Sequence, residues 1–146
     1  MHSSPTSPAP TLFLDFDGVL HPNLATAQQR FARLPLLAEA IADHRIEIVI
    51  SSSWRFEWPI DRLRKLFPLG LQPAVVGTTG LAHIGRHARW REITAYCAAA
   101  GISNWRALDD ARFEFPDRCA ELIACEGSRG IERAQQESLR SWLEQS

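Results

Sequence analysis

Asp15 and Asp17 stand two residues apart at the end of the apolar run Leu12-Phe13-Leu14, and Gly18 follows at once. Burying a carboxylate is costly unless something offsets its charge. A hydrophobic run that ends in Asp-x-Asp therefore points to a hard cation. Mg²⁺ is the first choice, because it takes oxygen ligands and binds through one or two carboxylates together with substrate phosphate. Gly18 lets the backbone turn sharply and come close to a ligand. Taken alone, the pair could also be a strand that ends in a solvated acidic turn. What the rest of the chain brings to it decides between the two.

Other segments end in polar groups in the same way. The β-branched run at 46–50 leads into Ser51-Ser52-Ser53, and the run at 105–108 leads into Asp109-Asp110. Arg86, Arg89 and Arg91 sit at the start of the helix that precedes the latter run. In open parallel sheets, ligands bind outside the carboxyl ends of the strands at the point where the strand order reverses. Lys65 is the only lysine, so the cation at an anionic site has to be an arginine. Arginine stays charged and grips phosphate through two parallel hydrogen bonds.

The elements that must position these groups follow from periodicity and breakers. Strands are predicted at 11–16, 46–50, 74–76, 105–108 and 122–125. Helices are predicted at 34–44, from 54 or 59 to 67, from 86 or 87 to 100, and at 132–143. Residues 77–80 read as a loop, and Ser51 or its neighbours as a helix cap. Strands alternating with helices predict an α/β three-layer sandwich with a central, mainly parallel five-stranded sheet. Residues 1–10, rich in proline and serine, read as a disordered lead-in, and 11–146 as a single domain.

Composition narrows the function classes. The chain has 146 residues, 45% hydrophobic and 23% charged, close to soluble globular averages. No apolar run is long enough for a membrane span, and the N-terminus is not that of a signal peptide. Cys97, Cys119 and Cys125 have no spacing that suggests disulfides or zinc, which fits a reducing, cytoplasmic setting. The formal net charge of −1 gives no support to a nucleic-acid partner, although the arginines permit one.

With these residues in place, the chain resembles the haloacid dehalogenase-like (HAD) phosphatase superfamily. The resemblance rests on Asp15-Phe16-Asp17-Gly18, the strand-terminal Ser51, a cation before a helix and Asp109-Asp110, in that order. Ile50-Ser51-Ser52-Ser53-Trp54-Arg55, Arg89-Trp90-Arg91-Glu92-Ile93 and Ala107-Leu108-Asp109-Asp110 are similar to one subgroup, the HAD domain of Swiss army knife RNA repair proteins. The resemblance implies a HAD-like Rossmannoid fold and a phosphomonoester hydrolase that works through an aspartyl-phosphate with Mg²⁺. Asp15 would be the nucleophile. Asp17 would be the general acid and base, with its backbone carbonyl on the metal. Asp15 and Asp109 or Asp110 would supply the other protein oxygens. Ser51 would donate to phosphate beside the backbone N–H of Ser52. An arginine would stand where the superfamily usually has lysine, with Arg89 the first choice and Arg86 and Arg91 the alternatives.

Other residues carry plainer expectations. Arg55 could hold a substrate phosphate or sit in an ion pair. Trp54 and Trp58 suit packing more than base stacking. His21 could line the pocket, and His83 with His87 lacks a third metal ligand. The short intervals between motifs predict little or no cap over the site. An open site suits a phosphorylated substrate as large as a protein or a nucleic-acid end. Phosphotransfer on the same scaffold and a non-catalytic phosphate- or partner-binding module are the alternatives. Oligomeric state is not legible.

Overall fold

The computed structural model describes residues 8–146. Most of the expected lead-in, residues 1–7, lies outside the described residues. Five parallel strands form one sheet in the order β3-β2-β1-β4-β5. They are β1 (Thr11–Leu14), β2 (Glu47–Ile50), β3 (Val75–Thr78), β4 (Trp105–Asp109) and β5 (Leu122–Ala124). Central β1 is buried along its whole length, which explains its lack of polar alternation. Where a mainly parallel sheet was expected, every pairing is parallel.

The strand pleat sorts the core into two halves. Leu12, Leu14, Ile48, Ile50 and Leu108 face α1 (Leu34–Ile41), α2 (Ile60–Arg64) and α4 (Arg133–Glu144). Phe13, Val49, Trp105 and Ala107 face α3 (Ala88–Ala100) through Ile93 and Cys97. These are the three layers of an α/β sandwich. The connections β1–β2 and β2–β3 hold α1, α2 and short turns, and no further sheet sits between them among the described residues.

Several predicted boundaries move for local reasons. The first helix stops at Ile41 rather than at 44, because the backbone leaves helical geometry at Ala42, with ψ 143°, and Asp43 then turns left-handed with φ 66°. The helix expected from 54 or 59 to 67 is split into a 3-10 turn at Ser53–Phe56 and the short α2. Pro59 between them has no N–H and disfavours a helical residue before it. Leu66, expected on the apolar face, is partly exposed, while Phe67 is buried. Gly77 and Thr78, expected in a loop, belong to β3. A Cβ at Gly77 would lie 2.6 Å from the Tyr96 hydroxyl of α3, so this strand glycine marks close packing rather than a turn.

Candidate active site

The polar groups gather at the carboxyl ends of the strands, where the chain leaves β3 at one edge and returns to β4 beside β1. Ladder hydrogen bonds run one residue past the strands. Asp15 N–H donates to Leu108 O at 3.1 Å, Ser51 N–H to Leu14 O at 2.8 Å, and Thr79 N–H to Ile50 O at 3.1 Å. The backbones of Asp15, Ser51 and Thr79 are therefore pinned to rigid strands. Asp15, Ser51, Thr79 and Asp109 continue the phase of Phe13, Val49, Gly77 and Ala107, so four adjacent strands deliver a polar residue toward the α3 side.

Asp15, Asp109 and Asp110 each offer a carboxylate oxygen, and these oxygens lie within 4.8 Å of one another. Asp15 and Asp109 are buried. Burial pushes the Asp15 carboxyl well above its usual range and the Asp109 charge adds to this, with Arg89 opposing. Asp109 is raised too, by burial against the pull of Arg89. Three crowded oxygen donors of this kind fit a hard divalent cation. Asp110 is held by Asn23 Nδ2 at 2.9 Å and lies over Gly18, whose φ is 78°. A Cβ at Gly18 would sit 2.3 Å from the Asp110 carboxylate, so glycine makes the cradle possible. Asp17 contributes no carboxylate to this group; its side chain turns to His21 and Trp54, and only its backbone remains for the metal contact expected of it.

Of the three arginines at or just before the start of α3, Arg89 faces the carboxylates. Its Nη1 donates to Asp109 Oδ2 at 2.8 Å and lies 3.6 Å from Asp15 Oδ1. Burial weighs against its charge, but Asp109, Asp15 and Glu92 outweigh that and hold it more firmly protonated. Arg91 instead pins the preceding loop, donating to Arg86 O at 2.9 Å and to Ile84 O. Arg86 is exposed, with no partner in the acidic group.

Ser51 is 1% exposed, and its Oγ has no hydrogen-bond partner. A buried hydroxyl left unpaired costs about 1–3 kcal/mol, so its natural partner is a ligand. Ser52, rather than Ser51, is the cap: its Oγ accepts from Trp54 N–H at 3.2 Å. Arg55, read as a candidate phosphate ligand, has a side chain only 2% exposed. It donates to Gly80 O at 2.8 Å, Ser52 O at 3.0 Å and Glu92 Oε1 at 2.9 Å. Its charge is matched inside the protein, so it braces the site from behind.

Two groups escaped the sequence reading. Glu92, buried on α3, accepts from Arg55 and from His83 N–H at 2.9 Å and lies 3.8 Å from Arg89 Nε. Thr79 is 7% exposed, and its Oγ1 is, with Ser51 Oγ, an unpartnered buried side-chain atom. A second hydroxyl just past a strand end was the available signal, but the misplaced end of β3 hid it. His83 and His87 form no metal group among the described residues; His87 precedes α3 in a left-handed conformation.

A family model described as the HAD domain in Swiss Army Knife RNA repair proteins matches residues 11–136. No curated protein and no solved structure matches the chain.

Proposed function

The chain belongs to the family of HAD domains found in Swiss Army Knife RNA repair proteins, and from that premise we propose that it is a Mg²⁺-dependent phosphomonoester hydrolase. Asp15 attacks phosphorus, the bond from phosphorus to the leaving oxygen breaks, and an aspartyl-phosphate forms. Asp17 gives its proton to the leaving oxygen and then takes one from the water that hydrolyses the intermediate. Ser51 Oγ and Arg89 hold the phosphoryl oxygens, and Thr79 Oγ1 joins them from the next strand. Asp15, Asp109 and Asp110 would hold Mg²⁺, with the Asp17 carbonyl; the ion would offset the repulsion between the nucleophile and the phosphate.

One observation carries this reading. A carboxylate group facing Arg89 lies at the same strand ends as two buried hydroxyls that have no partner in the protein. A phosphoryl group, held by a metal on one side and by donors on the other, would satisfy all of them. The short connections around the site favour a substrate too large for an enclosed pocket, such as a phosphorylated protein or a nucleic-acid end.

The test is phosphate release from an aryl phosphate, sugar phosphates, nucleotides, a phosphopeptide and a 3′-phosphorylated oligonucleotide, with and without Mg²⁺. Metal-dependent release is expected, falling roughly a thousandfold or more in Asp15→Asn. No release from any substrate by the folded, Mg²⁺-bound protein would turn the assignment toward phosphotransfer or binding alone. Best turnover on small sugar phosphates would count against the macromolecular substrate.

A further inference from the structure

Asp17 does not stand free in the open site. His21 Nε2 lies 2.7 Å from its Oδ1, and Trp54 Nε1–H donates to its Oδ2 at 3.1 Å. The His21 ring is 2% exposed and packs edge-on against Phe31 at 5.2 Å, with Trp54 at 6.0 Å. Its other nitrogen is also engaged: the Phe31 backbone N–H donates to His21 Nδ1 at 3.2 Å. A backbone amide can only donate, so Nδ1 carries no proton. An imidazole ring retains at least one, which must then sit on Nε2 and point at Asp17. The loop after β1 thus sets the tautomer, and the tautomer sets the direction of the hydrogen bond.

We propose that His21, as the neutral Nε2–H tautomer, and Trp54 are positioning residues that clamp the Asp17 carboxyl, one donor on each oxygen, in the orientation needed to serve the leaving group. The proposal rests on the phosphatase reading above. A carboxylate offers about four lone-pair sites, so two fixed donors leave room for the proton that Asp17 exchanges. Gly18 N–H donates to His21 O at 2.9 Å, which ties the histidine to the loop carrying Asp17. Asp17, His21 and Trp54 border a cavity of about 450 Å³ that also meets Asn23 and Arg30, and this is where a leaving group has space. Holding an acid in place removes the disorder that a half-exposed aspartate would otherwise bring to proton transfer.

The discriminating measurement is steady-state hydrolysis of ethyl phosphate and para-nitrophenyl phosphate by the full chain with Mg²⁺. An alkoxide leaving group needs the proton, whereas nitrophenolate leaves without it. Loss of the clamp should lower kcat/KM, which covers only the steps up to departure of the leaving group, about 100-fold on ethyl phosphate in His21→Ala and about tenfold in Trp54→Phe. On para-nitrophenyl phosphate kcat/KM should change less than about threefold in both, while kcat and KM fall together to the extent that Asp17 also serves the water that hydrolyses the intermediate. His21→Gln, which keeps an N–H donor near the Nε2 position, should recover part of the loss. If His21→Ala does not fold, Trp54→Phe carries the test, since it removes one donor and keeps a ring. Equal losses of kcat/KM on the two substrates would overturn the clamp alone. Hydrolysis by the wild type of neither these two nor any substrate of the wider panel would instead overturn the phosphatase reading. Ring ¹⁵N shifts of His21 report the tautomer without turnover; a protonated Nδ1 would overturn the assignment.

Discussion

At the residue scale, the unpaired hydroxyls of Ser51 and Thr79 set stability against function. Each is buried and unsatisfied in the protein, so each costs stability until a ligand binds. Thr79→Val keeps the shape and removes the polar group. It should stabilise the ligand-free protein by about 1 kcal/mol, seen as a higher Tm. The same variant should lose roughly ten- to hundredfold in kcat/KM, if its hydroxyl meets the phosphoryl group as proposed. Full activity in Thr79→Val would remove Thr79 from the phosphate contacts. A lower Tm would show that the hydroxyl has a structural partner.

At the element scale, α3 presents Arg89 and Glu92 one turn apart toward the sheet. Glu92 joins this helix to the 3-10 turn after β2 through Arg55, and to the loop before the helix through His83. The Arg55 and Glu92 side chains are 2% and 6% exposed, so removing one strands the charge of the other. Glu92→Ala should cost about 3–5 kcal/mol in chemical denaturation. It should also lower turnover, because Arg89 loses an anchor. Replacing both partners, Arg55→Met with Glu92→Leu, should return most of the stability but not the activity. Recovery of activity in the double variant would show that Arg89 is positioned by Asp109 and Asp15 alone.

At the scale of the whole molecule, the sheet concentrates negative charge at one end. The folded carboxyls of Asp15 and Asp109 hold protons above the ordinary value of 3.8, chiefly because they are buried. A folded state that binds more protons than the unfolded chain loses stability as pH rises from that ordinary value through the raised one. Metal-free protein in EDTA should show this loss, and Asp15→Asn should flatten it. Metal competes with protons for the same oxygens. The rise in Tm on adding Mg²⁺ should therefore be larger at about pH 8 than at about pH 5. A rise independent of pH, or none, would place the metal elsewhere. No helix among the described residues is long and apolar enough to cross a membrane.

The sequence by itself determined the five strands, their order along the chain and, with β3 excepted, the polar residues at their ends. These are local facts: an apolar run, a breaker, and a carboxylate or hydroxyl where the run stops. Asp15, Ser51 and Asp109 were legible for that reason, and the parallel sheet then brings their strands side by side. Only the tertiary structure decided which arginine faces the acids. Spacing put Arg89 ahead of Arg86 and Arg91 without aiming any of them, and the left-handed turn at His87 helps set where α3 begins. It also withdrew Arg55 into an ion pair with Glu92, 37 residues away, and turned Trp54 onto Asp17 across an equal separation. Such contacts leave no periodicity in the chain. They exist because folding closes long loops and then requires every buried charge and donor to find a partner.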